Sequence, residues 1–132
     1  MRRAVILLVA VATLMVIPAV ANAADLEDFE GEWQAIDRDG SNMTMTLRIT
    51  GNGIRMQLFD DFASGCGDPA GGAWAKGFGT VDGDTLTVDF MLRCENGLRF
   101  TGLSIAFRYS SGRDTLAELR PRGPNVTWTR VP

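Results

Sequence analysis

The chain has 132 residues and contains no histidine. This absence excludes the Ser-His-Asp and Cys-His catalytic arrangements and removes the usual ligand of zinc and copper sites. Lysine occurs once, at position 76, and the formal net charge is −3. Because the arginines are scattered along an acidic chain instead of being clustered, we expect no binding to nucleic acid.

Helical periodicity is also missing, and the carboxylates lie mostly in turns or at outward strand positions. Asp82 and Asp84 lie in a turn and Asp89 lies at an outward strand position, so none of these three sits among the apolar neighbours that would raise a carboxyl pKa for acid catalysis. Asp37 and Asp39 have the alternate spacing of a calcium loop, but the glutamate that closes such a loop does not follow them. The sequence therefore predicts no enzyme, no cofactor and no metal site.

The N-terminus has the three parts of a secretory leader. Two arginines precede the apolar run Ala4–Ile17, and a small-x-small cleavage site follows at Ala21–Ala23. These features predict a signal peptide over residues 1–23 and export of 24–132 to the periplasm or the medium. The alternative is an uncleaved membrane anchor, because the apolar stretch is nearly long enough to span a bilayer. After cleavage we expect no stable membrane insertion.

Cysteine is present only as Cys66 and Cys94. An export compartment favours oxidation, so the sequence predicts a structural disulfide between them. The alternatives are two free thiols or a pair of metal ligands.

Alternation of apolar and polar residues runs through most of the exported part. Met43–Thr50 is the clearest case, with methionine, leucine and isoleucine at every second position. Short turns rich in glycine, asparagine and aspartate separate eight such segments. We therefore predict an all-β fold, an eight-stranded antiparallel up-and-down barrel formed by the single domain 24–132. The rival architecture is a two-sheet sandwich.

One strand changes phase along its length. Leu98 and Phe100 share one face, whereas Leu103 and Ile105 have the opposite phase, and the change falls at Gly102. A one-residue slip at a glycine is typical of a β-bulge, which lets a strand bend around a barrel.

Two terminal motifs carry a family resemblance. Gly31-x-Trp33 on the first strand, together with Arg130 on the last, resembles the calycin superfamily of lipocalins, fatty-acid-binding proteins and avidins. The resemblance implies that Trp33 packs across a closed end of the barrel and that Arg130 stacks on it, a contact worth ~0.5–2 kcal/mol. The alternative is that Trp33 is simply a core residue and Arg130 a solvated terminus.

The stretch Gly40–Thr44 is similar to the G-S-N-M-T stretch of avidins. In avidins the serine of this stretch, here Ser41, hydrogen-bonds biotin. Ala35 stands where avidins have a ureido-binding asparagine, so the resemblance does not imply biotin binding.

Six side chains are candidate ligand contacts at the open mouth of the barrel. They are Met45, Met56, Trp74, Lys76, Phe90 and Phe107. The face Trp74-x-Lys76-x-Phe78 has two interpretations. Pointing inward, it forms a cup for an anionic or planar ligand. Pointing outward, which we favour, it leaves Lys76 solvated, because a buried unpaired lysine is unfavourable.

Two functions fit these features. The first is a secreted, lipocalin-like binding protein for a small apolar or amphipathic ligand, with the loop around Cys66 as a gate. The alternative is a protein-interaction barrel that inhibits an exported enzyme of the protease or lysozyme type. In that case the acidic arm Asp25–Glu30 or the Cys66 loop would contact the target.

Overall fold

A computed structural model describes residues 23–67, 69–121 and 125–132 of the chain. The leader predicted over 1–23 lies outside the described residues, apart from Ala23. A single helical turn, α1 (Leu26–Phe29), is followed by eight strands. They are β1 (Gly31–Ile36), β2 (Asn42–Thr50), β3 (Gly53–Asp60), β4 (Ala73–Asp82), β5 (Thr85–Cys94), β6 (Arg99–Ser110), β7 (Thr115–Leu119) and β8 (Val126–Arg130).

Each strand pairs antiparallel with the next, and β1 pairs with β8 to close the barrel. The prediction of an all-β, eight-stranded antiparallel barrel is confirmed, and the rival sandwich is wrong. The described part of the chain contains no helix with the length and apolar character needed to cross a membrane.

The barrel has two unlike ends. The closed end carries α1 and the tight turns after β2, β4 and β6. The loop end carries the turns after β1 and β5 and the long loop 61–72, which contains a single 3₁₀ turn at Ser64–Cys66. Cys66 and Cys94 form the predicted disulfide at this end, which fixes the loop to the end of β5.

Large side chains from the inward face of most strands fill the interior. The most buried of them include Trp33, Trp128, Phe29, Phe107, Met45, Leu47, Ile54, Met56, Leu86 and Leu116. This packing follows from the alternation that predicts the strands, because most inward positions carry an apolar residue.

Strand β4 is the exception, because its small residues face inward. A Cβ atom added to Gly77 would overlap the carbonyl oxygen of Asp89, so no larger residue fits there. Its large residues face outward, with Trp74 and Phe78 44% and 46% exposed. The outward interpretation of the face that contains Lys76 is therefore confirmed.

The predicted bulge is also present. Phe90 pairs with Leu103 and Leu92 pairs with Phe100, so two residues of β6 lie opposite one residue of β5. Gly102 has a φ of +70°, the left-handed conformation that glycine adopts readily. The extra residue keeps the apolar side chains on both sides of the bulge directed to the same face.

Candidate functional site

The contact expected between the first and last strands forms at the closed end. The guanidinium carbon of Arg130 lies 4.2 Å from the ring centroid of Trp33. Arg130 also donates to the carbonyl oxygens of Asp28 and Glu30 and to both carboxylate oxygens of Asp114. This network closes the barrel and leaves no space for a ligand beside the Trp33 ring, which is fully buried.

The acidic arm is fixed by the same network. Phe29 is buried and its ring packs 5.7 Å from the ring of Tyr109, while the carbonyl of Phe29 accepts the indole N–H of Trp33. The arm expected to enter a target is therefore docked on its own barrel over its last residues, although Asp25 and Glu27 remain exposed.

The structure does not bring the six candidate ligand contacts together. Met45, Met56 and Phe107 are at most 1% exposed, so no water-sized space adjoins them. Trp74 and Lys76 lie on the outside of the barrel. Phe90 alone combines an inward direction with partial exposure. An interior ligand site around the methionines is not formed, and Phe90 marks the place where the interior is reachable from outside.

This place is an opening between β6 and β7, here called the side cleft. The pairing of β7 with β6 covers only Ala106–Ser110, although β6 begins at Arg99. β7 ends at Leu119, so the first half of β6 has no described partner on this side, and a cleft of about 670 Å³ lies there. Phe90 and Ile105 line the floor of the cleft. The Cys66 loop, expected as a gate, contributes no described residue to its lining.

A buried carboxylate lies beside the side cleft. Glu118 is 5% exposed and accepts hydrogen bonds from Nε of Arg120 at 2.6 Å and from Nε1 of Trp128 at 3.3 Å. Arg120 also forms a salt bridge of 3.0 Å with Asp37. Burial pulls the pKa of Arg120 down, but Glu118 and Asp37 outweigh burial and raise it. The guanidinium is therefore a permanently charged hydrogen-bond donor at the rim of the cleft.

Sequence reasoning did not single out Glu118 or Arg120. The signal was present in the phase of β7, where Glu118 follows Leu116 at an inward position. A charged residue in an apolar phase predicts a buried charge with a partner, and the arginine two positions later supplies one.

A second polar cluster lies at the turn between β1 and β2. Asp60 is 9% exposed, and its Oδ1 accepts the backbone N–H of Phe62 at 3.1 Å. Burial raises the pKa of Asp60, and the charges of Asp37 and Asp39 raise it further. The nearby Ser41 hydroxyl acts in the opposite direction and lowers the pKa of Asp60. This hydroxyl is buried, and its geometry is not that of a hydrogen bond to any described residue. No group of acidic or cysteine side chains within the described ranges is arranged to hold a metal ion.

This cluster gives a prediction for the pH dependence of stability. A carboxyl group with a raised pKa stabilises the folded state while it is protonated, and this contribution is lost as the pH rises through the folded-state pKa. Asp60→Asn keeps the acceptor for Phe62 and removes the charge. We expect the variant to gain stability relative to the wild type as the pH rises from about 4 to about 7, as measured by urea unfolding at each pH.

Asp89→Asn is the matched control, because Asp89 is exposed on the outer face of β5. Its difference from the wild type should not follow the same trend with pH. A constant difference between Asp60→Asn and the wild type across the range would contradict the raised pKa.

The disulfide is compatible with an oxidising environment. Comparison of the chain with protein-family models, with curated proteins and with solved structures finds no match. Function is therefore inferred from the geometry of the side cleft and of the outer surface of the barrel.

Proposed function

We propose that the protein is an exported, calycin-like barrel that binds a small amphipathic molecule in the side cleft. The carrying observation is that Phe90 and Ile105, two inward-facing apolar side chains, are reachable from outside beyond the end of β7, where β6 has no described partner. The proposed binding site is at the flank of the barrel, because the methionine-lined interior is filled.

The composition of the cleft favours a ligand with one apolar and one polar end. Its volume of about 670 Å³ lies within the range typical of small-molecule sites. Phe90 and Ile105 supply an apolar floor, and Arg120 supplies guanidinium donors at the rim. Glu118 holds that guanidinium in place, so its direction is fixed before a ligand arrives. A carboxylate, sulfonate or hydroxyl end group suits this donor.

Two observations support the calycin-like and exported character of the proposal. The stacking of Arg130 on Trp33 is the contact that the family resemblance implies. The disulfide between Cys66 and Cys94 suits the compartment to which the leader at 1–23 would direct the chain. The proposal is for binding without covalent chemistry.

The proposal is tested with an amphipathic anion, anilinonaphthalene sulfonate, titrated against the exported part of the chain. We expect saturable fluorescence enhancement at one site per molecule. Ile105→Trp fills the floor of the cleft and Ser104→Trp covers it from the exposed rim, so each should weaken binding about tenfold or more. Native mass spectrometry of protein purified gently from its own host should show a bound small molecule that these variants lack.

Ile36→Trp is the matched control, because it adds the same ring at an exposed position outside the cleft, the last residue of β1. It should bind the dye as the wild type does. Equal affinity of all three variants and the wild type, or the absence of saturable binding, would overturn the proposal. Ser104 is exposed, so its replacement keeps the test valid if Ile105→Trp fails to fold.

A further inference from the structure

The outer face of β3, β4 and β5, together with the first residue of β6, carries a group of exposed and half-buried side chains, here called the outer patch. Its apolar members are Phe59, Trp74, Phe78 and Met91, and its cations are Arg55, Lys76, Arg93 and Arg99. Trp74, Phe78 and Met91 are each 44–46% exposed. Large apolar side chains at this exposure are informative when they are contiguous, because contiguous apolar surface marks interaction sites.

The strand register makes the outer patch contiguous. Trp74 of β4 pairs with Phe59 on one side and with Arg93 on the other. Two residues further along β4, Lys76 lies between Gln57 and Met91. The patch is therefore a grid of three strands, with aromatic and cationic side chains in adjacent rows.

Packing within the barrel accounts for only part of this arrangement. The ring of Trp74 packs 4.9 Å from the ring of Phe59, and the ring of Phe78 covers the backbone of Gly53. Trp74 and Phe78 nevertheless keep almost half of their surface in water. The outward positions Thr80 and Thr87 near the other end of the same two strands are threonines, the residue type expected on a solvated sheet face.

The charge of the outer patch is opposite to that of the whole chain. No described residue forms a salt bridge with any of its four cations, whereas Arg48, Arg108, Arg120 and Arg130 have carboxylate partners. The acidic residues of the chain concentrate elsewhere, above all in the segment 25–32. A net-acidic protein thus presents one face that combines exposed apolar side chains with cations that have no carboxylate partner among the described residues.

We propose that the outer patch docks an acidic segment of a partner protein that also carries apolar side chains. Charge complementarity selects the acidic residues, because the cations of the patch gain partners that the described chain does not give them. Trp74 and Phe78 are aromatic anchors that a bound partner would bury, and residues of this type dominate protein interfaces. A groove of about 600 Å³ between Trp74, Met91 and Arg99 receives the segment.

A protein segment fits this surface better than an anionic membrane does. Asp89 lies within the grid and Glu95 lines the groove, so a partner must place its acidic residues on the cations and other residues beside these two carboxylates. A peptide of defined sequence can do this, whereas a uniformly anionic lipid surface cannot. The groove also fits an extended peptide segment better than it fits a flat bilayer surface. The outer patch is on β3–β5 and at Arg99, the first residue of β6, whereas the side cleft lies beside β6 and β7, so this inference does not depend on the proposed ligand.

The experiment selects binders from a phage-displayed library of random short peptides on the immobilised exported chain. We expect the recovered peptides to be net acidic and to contain apolar residues. Titration of a recovered peptide should change the fluorescence of Trp74, because Trp33 and Trp128 are fully buried. Trp74→Ser and the charge reversal Lys76→Glu should each weaken binding about tenfold or more.

Two controls complete the design. Arg113→Glu makes the same change of sign as Lys76→Glu at an exposed turn outside the patch and should leave peptide affinity unchanged. Vesicles of phosphatidylglycerol and phosphatidylcholine test the membrane alternative. Recovery of no acidic peptides, binding that survives both patch variants, or tight binding to vesicles without binding to peptides would overturn the inference. Trp74 and Lys76 are exposed, so both variants are expected to fold.

Discussion

Replacing Arg130 with methionine is expected to lower the free energy of unfolding by about 3 kcal/mol. The variant loses the contact with the Trp33 ring at 4.2 Å and leaves the carbonyl oxygens of Asp28 and Glu30 without their guanidinium donor. Hydrogen bonds from a charged donor to such carbonyls are worth more than neutral ones. The ion pair with Asp114 adds little, because Asp114 is about half exposed and solvent screens the charge.

The measurement is urea unfolding followed by tryptophan fluorescence. Trp33 and Trp128 are buried in the core, so loss of closure changes their emission. Arg130→Lys keeps the charge but not the planar fork of donors and should fall between the wild type and Arg130→Met. Arg113→Met removes an exposed arginine from the turn next to Asp114 and should stay within about 0.5 kcal/mol of the wild type. The same small effect for Arg130→Met would contradict the closing role.

The contact between Arg130 and Asp114 also predicts how the free energy of unfolding changes at low pH. Hydrogen bonding to Arg130 holds the pKa of Asp114 below its ordinary value. A carboxylate with a lowered pKa contributes stability that is present above the unfolded-state pKa and is lost as the pH falls through the folded-state pKa. The difference in the free energy of unfolding between the wild type and Arg130→Met, measured by urea unfolding, should therefore become smaller in strong acid.

The architecture could be predicted from the sequence because alternation is a local property. Met43–Thr50 shows the period of two directly, and the phase change at Gly102 predicts the bulge that the structure contains. The pairing of the terminal strands followed from closure, since an open eight-stranded sheet leaves two edges unpaired. These features depend on neighbouring residues and on the topology of a meander.

The location of the candidate site could not be predicted in the same way. Alternation shows that Met45 and Phe107 face inward, but it does not show whether the interior has space beside them. That depends on how closely β4 approaches its neighbours, which its inward glycines allow. The side cleft depends on the different lengths of β6 and β7, and the part of β6 that stays unpaired is known only when the strands are placed in register.

Removing the disulfide is expected to have an effect of similar size at the opposite end of the barrel. Cys66 and Cys94 are 28 positions apart, and the chain-entropy relation gives a loss of about 3–4 kcal/mol for a loop of that length. Small domains have only about 5–15 kcal/mol of stability in total. The double variant Cys66→Ser/Cys94→Ser should therefore unfold at a much lower urea concentration.

The loss arises mainly through the unfolded chain, since the folded loop keeps other attachments. The side-chain amide of Asn96 donates to the carbonyl oxygen of Cys66 at 2.7 Å, and Glu95 accepts the backbone N–H of Gly72 at 2.9 Å. The folded double variant should thus keep the buried tryptophan emission of the wild type. Reduction of the wild type with dithiothreitol should lower its stability to that of the double variant, while the reductant leaves the double variant unchanged. A double variant as stable as the oxidised wild type would show that the hydrogen bonds, and not the bridge, hold the loop to β5.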